Sequence, residues 1–130
     1  MDRRDAPAEP NGSAPRLRQQ VWALHAYQVV DQVSREDRDD YEIVVNGLGA
    51  NVLRGGLAAA MAALERQDRR GRLLLQHLAS AGFTGLDGAT EDDLPDRVRH
   101  LDLDGYVIVS REVLQFATWL RRAIQAPGGA

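Results

Sequence analysis

Apolar side chains along this chain recur with a period near 3.6 residues and almost never alternate, so the pattern predicts helices. Between residues 16 and 33, Leu17, Val21 and Leu24 form one apolar series and Trp22, Ala26, Val29 and Val33 another. Arg18, His25, Gln28 and Gln32 fall on a polar stripe of the same helix. Ser13 and Pro15 stand ahead of it as start signals. The next apolar positions are 41, 44, 45, 48 and 52, and Asp39 or Asp40 in the connector SREDRDD can cap that helix. Leu53, Leu57, Met61 and Leu64 continue a stripe, and alanines at 58, 59, 60, 62 and 63 make this the best helix former, expected to be covered on most sides. Residues 67–82 predict another helix, ended by Gly82. After the loop FTGLDGATEDD, DLPDRVRHL predicts a short helix with Pro95 in its first turn. Asp102 or Asp104 then starts the last segment. Its YVIV alone reads as a strand, but Val113, Ala117, Leu120 and Ile124 predict a helix that begins at or before Ser110. The fold class is therefore all-α, a compact bundle of about five or six helices. One domain spans 16–126, after a disordered lead-in over 1–15 and before a flexible tail at 127–130.

One stretch admits a rival. YEIVV, NGLGAN and LAAAMAALER can be read as strand, glycine turn and helix, the opening of a dinucleotide-binding unit. Gly47 and Gly49 fit its fingerprint, but Val52 occupies the third glycine position, and residues 67–82 read as helix where a second strand is needed. The helical reading places a break near 46–50 and a close approach of another helix at Gly55-Gly56.

Composition narrows the function classes. At 130 residues the chain is long enough to bury about two thirds of its unfolded surface, and the absence of cysteine excludes disulfides, thiol catalysis and cysteine-bound metals. The first fifteen residues lack the apolar run of a signal peptide, and no segment approaches the ~20 apolar residues of a membrane span. A cytoplasmic protein is the expectation. Net charge is -3, but it is unevenly spread. Residues 31–42 carry six acids against two arginines and residues 87–104 seven against two, whereas residues 54–72 carry five arginines against two acids. Such blocks suggest a basic side and an acidic side. All sixteen cations are arginine, whose planar fork suits phosphate; a genome favouring arginine codons would produce the same bias.

Little argues for catalysis. His25, His77 and His100 share no ligand spacing and read as boundary or surface residues. Glu91-Asp92-Asp93 and Asp102-x-Asp104-Gly105 lack the ligand order of a calcium loop, and no nucleophile elbow is present. No catalytic residue, metal or cofactor is predicted. The suggestive surface is basic: Arg111, Gln115, Thr118 and Arg122 share one face of the last helix, Arg121 flanks it and Trp119 lies at its edge. Arginines beside hydrogen-bonding groups can hold a phosphate backbone, and an exposed aromatic can stack on a base. Arg69, Arg70 and Arg72 form a second cluster. The plainer alternative is an ordinary solvated face with Trp119 in the core.

Tyr41, the segment LGANVLRGGLAAAMAAL and the closing REVLQFATWLRRAIQA together resemble the small-subunit family of type III-B CRISPR (Cmr) effector complexes, the fifth Cmr protein. Gly56-Leu57 matches the family's "GL", Trp119-Leu120-Arg121-Arg122 matches its closing tryptophan-leucine-basic-basic motif, and Tyr106 ahead of Ser110-Arg111-Glu112 fits its last helix. Gly49, Gly55 and Ala62 stand where the family usually has proline, asparagine and phenylalanine. The resemblance covers roughly residues 17 to 126. It implies a small helical bundle without a catalytic site, copies of which stack as an inner filament beside the backbone subunits that grip the guide RNA. Those copies line the groove where target RNA pairs with the guide, while the backbone subunit cuts the target and the large signalling subunit makes cyclic oligoadenylate and degrades DNA. On that reading Arg54, Arg111, Arg121 and Arg122, with Trp119, contact RNA without reading its sequence. The acidic stretches would face arginines of neighbouring subunits. A helical protein–protein adaptor with no nucleic-acid role is the alternative; neither reading calls for a small-molecule substrate or a membrane.

Overall fold

The computed structural model describes residues 17–126, so the predicted lead-in and tail lie outside the described residues. Six helices follow in order: α1 (Arg18–Asp31), α2 (Arg35–Gly55), α3 (Leu57–Glu65), α4 (Arg69–Ala79), α5 (Leu94–Arg99) and α6 (Leu103–Gln125). No strand occurs among the described residues, as the all-α reading expects. α6 is the longest and lies between α1 and α2; α4 packs on α2 and α3, and α5 on α3.

Local chemistry places most of the boundaries. Asp68 accepts a hydrogen bond from the Arg70 amide at 3.0 Å and starts α4, and Asp102, not Asp104, accepts from the Gly105 amide at 2.8 Å and starts α6. The connector before α2 corrects the expectation. Ser34 holds the cap position and the helix is under way at Arg35, so Asp39 and Asp40 lie inside it. Glu36 and Asp37 then occupy the first turn, where free N–H groups favour negative charge.

The expected break near 46–50 is absent. α2 runs unbroken through Gly47 and Gly49, because Val44, Val45, Leu48 and Val52 are buried along one face and hold the helix across both glycines. The chain turns at Gly56, whose φ of 95° suits glycine alone, and a Cβ there would stand 3.1 Å from the Tyr106 hydroxyl. That hydroxyl accepts from the Ala58 amide at 2.9 Å, a bond that satisfies one free donor at the start of α3 from across the bundle. The close approach expected at Gly55-Gly56 is thus real, and α6 makes it. Gly56→Ala is expected to cost about 1–3 kcal/mol in urea denaturation, since both the backbone and the tyrosine must shift. An unchanged midpoint would show that the corner is relaxed.

The core also reverses one assignment. Trp22, Ala26, Val29 and Val33 are buried, whereas Leu17, Val21 and Leu24 are 71%, 46% and 50% exposed, so only one of the two apolar series on α1 faces inward. Leu53, expected in the buried stripe, is exposed as well. The loop after α4 is pinned by aromatic packing: the Phe83 ring lies 5.9 Å from Trp22 and 5.8 Å from Phe116, and the Trp22 indole donates to the Ala81 carbonyl at 3.1 Å. The buried Glu112 carboxylate holds the same loop by accepting from the Thr84 amide at 2.8 Å and the Thr84 hydroxyl at 2.7 Å.

Candidate nucleic-acid interface

The helical period of α6 separates two surfaces. Val109, Val113, Phe116 and Leu120 are buried, while Arg111, Gln115, Arg121 and Arg122 are exposed and Thr118 is half-buried on the other side. Four of the five predicted RNA-contact residues therefore ride on this helix. The fifth, Arg54, is exposed on the last turn of α2 and hydrogen-bonds Asn51 at 3.0 Å. α2 and α6 run antiparallel. Glu42 meets Gln125 at one end, at 2.8 Å, and Gly56 meets Tyr106 at the other, which brings Arg54 level with the first turns of α6.

Trp119 differs from its expected role. Its indole N–H donates to the Gln19 side chain at 2.8 Å and the Arg122 guanidinium lies 4.9 Å from its ring centre. It is half-buried, neither a free stacking platform nor a core residue, and it holds Arg122 by a cation–π contact.

Ion pairing sorts the arginines into two sets. Arg69 makes two hydrogen bonds to Asp37, at 3.0 and 3.1 Å. Arg70 lies 3.0 Å from Asp40 and 3.1 Å from Asp68. Arg72 reaches Glu91 at 2.5 Å and Asp92 at 3.2 Å. The second basic cluster is thus occupied by the chain's own acids, and the stretches expected to face neighbouring subunits spend Asp37, Asp40, Glu91 and Asp92 internally. The hydrogen bonds from Arg69 hold the Asp37 carboxyl below its usual range. Arg18, Arg97 and Arg99 also pair with carboxylates. Among the described residues no carboxylate pairs with Arg35, Arg54, Arg66, Arg111, Arg121 or Arg122. Segments as far apart as residues 37 and 69 meet only in the fold, so nothing in the sequence separates the two sets.

The expectation that the histidines are boundary or surface residues holds for His100 and fails for His77. His77 is buried, with its Nδ1 2.5 Å from the Tyr41 hydroxyl, and burial, aided by the nearby His25, lowers its pKa to about 4. Burial also raises the pKa of Tyr41, so a protonated hydroxyl faces a neutral imidazole across this hydrogen bond. His25 Nε2 lies 2.8 Å from Ser80 Oγ, whose own proton goes to the His77 carbonyl, so His25 is the donor in that pair. These contacts bind α1, α2 and α4 together. No group of His, Asp or Glu suited to a metal occurs among the described residues, and none of their helices is long and apolar enough to cross a membrane.

Comparison with known proteins decides the family. The family model described as CRISPR-associated protein (Cas_Cmr5) matches residues 18–127. The chain belongs to the Cmr5 family. A Cmr5 relative from Thermus thermophilus, described as "CRISPR system Cmr subunit Cmr5", is 32% identical over 112 residues, which is 85% of this chain and 96% of the relative. The crystal structure of a CRISPR-associated Cmr5 family protein from the same organism superposes with a TM-score of 0.74 at 31% identity, over 85% of this chain and 96% of that one. The Cmr5 likeness spans all six helices, α6 and its arginines included.

Proposed function

We infer that the chain is a non-catalytic small subunit of a type III-B CRISPR RNA-guided effector ribonucleoprotein acting in antiviral defence. Its copies stack as an inner filament, and its arginines steady the pairing of guide RNA with target RNA. The observation that carries this reading is the sorting of the arginines. Those near acids are neutralised within the fold, whereas Arg111, Arg121 and Arg122 gather on α6, with Arg54 on α2, facing outward without a carboxylate among the described residues; Arg35 and Arg66 are also unpaired but stand apart from this group. The neighbouring, uncompensated Arg121 and Arg122 repel each other, and a polyanion relieves that repulsion. Their partners would be phosphates, so binding would be independent of base sequence and sensitive to salt.

The relative's description as a Cmr subunit supports assembly with the backbone and large signalling subunits. Exposed aliphatic residues supply surface for such contacts: Leu17, Val21 and Leu24 on α1, with Leu53 and Leu103 near the α2–α6 corner. Purification of the tagged chain from its own cells tests the assignment. Larger CRISPR subunits should come with it, together with RNA of defined length. A single protein partner with no RNA would favour the adaptor reading instead.

A further inference from the structure

Between α2 and α6 runs an open groove of about 510 Å³, and the residues that line it do not need to leave it open. Gly49 lies mid-helix on its wall, and a Cβ built there meets nothing within 4 Å. Glycine in such a position costs about 1 kcal/mol against alanine, with no compensating contact among the described residues. Ala50 beside it keeps the wall low. Toward one end Leu53, 78% exposed, and the half-buried Leu114 form an apolar surface. The rim is polar. Asn46 is exposed with no hydrogen-bond partner among the described residues. Thr118 donates to the Leu114 carbonyl at 3.1 Å, which leaves its oxygen free to accept, and Arg121 stands at the rim with no carboxylate partner among the described residues.

We propose that this groove seats one unpaired nucleotide of the bound RNA, with its phosphate on Arg121 and its base against Leu53 and Leu114 beside the Gly49–Ala50 wall. The proposal rests on the RNA-binding reading above and adds a subsite to it. A phosphate alone would need the arginine and no apolar wall. A protein helix laid in the groove would bury the Arg121 guanidinium and the Asn46 amide, and would have to bring an acid and an amide partner to satisfy them. A nucleotide supplies an anion, ribose hydroxyls and a flat apolar ring in one unit, matching the lining in kind. The nucleotide must be unpaired, because stacking in a helix already covers the base faces. The volume falls within the range of ordinary small-molecule sites.

Gly49→Met fills the groove without removing a cation and improves helix propensity, so it separates this subsite from the arginine face. Effector complex reconstituted with Gly49→Met should bind a fluorescein-labelled complementary RNA about tenfold more weakly at fixed salt, with the salt dependence unchanged. Gly47→Met, on the opposite flank of the same helix and equally free of neighbours, should bind as the native complex does. Neither variant should melt below the native chain. Native RNA affinity in Gly49→Met, alongside weakened binding in Arg121→Glu with Arg122→Glu, would overturn the subsite and leave the RNA-binding reading standing. Native affinity in all three would overturn both. Failure of the Gly49→Met chain to join the complex would mean that the groove seats a protein, which also overturns the proposal.

Discussion

Lowering the pH from 6.5 to about 4 is expected to remove roughly 3 kcal/mol of folding stability through His77 alone. In the folded chain this imidazole is buried against the Tyr41 hydroxyl, so protonation must place a poorly solvated charge there, beside His25. In the unfolded chain it protonates near 6.5. Between the two values the unfolded state binds more protons, so acid favours unfolding. The contribution is complete above pH 6.5 and is lost as pH falls through the folded value of about 4. Urea titrations of the native chain and of His77→Gln across this range isolate the effect, because other titrating groups are common to both. The stability difference should shrink as the buffer is acidified. A difference that stays flat from neutral pH to 4 would mean that His77 is solvated in the native state.

The second large effect is on RNA. Arg121→Glu with Arg122→Glu should weaken target-RNA capture by the assembled complex by at least about a hundredfold, since two charge-assisted phosphate bonds at about 1.5–3 kcal/mol each are lost. Both side chains are exposed and pair with no described carboxylate. The fold then loses only the contact of Arg122 over Trp119, worth about 0.5–1 kcal/mol, and far-UV circular dichroism should be unchanged. Arg111→Ala should lower the slope of log affinity against log salt by about one unit. Arg69→Glu is the informative control. It breaks the pair with Asp37 and should alter stability while leaving RNA affinity near native. Equal binding by the double variant and the native chain at every salt concentration would remove these arginines from the interface.

How much of this is legible in advance follows from what each signal measures. The face of α6 that carries Arg111 and Arg122 is a matter of spacing, and spacing is a property of sequence. The helix break is misplaced by the sequence pattern because NGLG resembles punctuation; burial of Val44, Val45, Leu48 and Val52 holds the helix through it, and Gly56 turns instead where Tyr106 arrives. Periodicity finds both apolar series on α1 but cannot rank them, since Leu17, Val21 and Leu24 repeat as regularly as the buried set. The pairing of Arg69, Arg70 and Arg72 with distant acids, and the Tyr41–His77 bond across 36 positions, are tertiary facts with no local trace. The family resemblance supplies what periodicity cannot, and the match over residues 18–127 bears it out.

Tyr106 ties the corner after α2 to the opening turns of α6 through its hydroxyl on the Ala58 amide. Arg54 and Arg111 are therefore mounted on a braced frame, and neither can slide along the bundle without dragging the other's support. The backbones that carry both are set before a ligand arrives, so a ligand that spans them has mainly the two exposed side chains left to order.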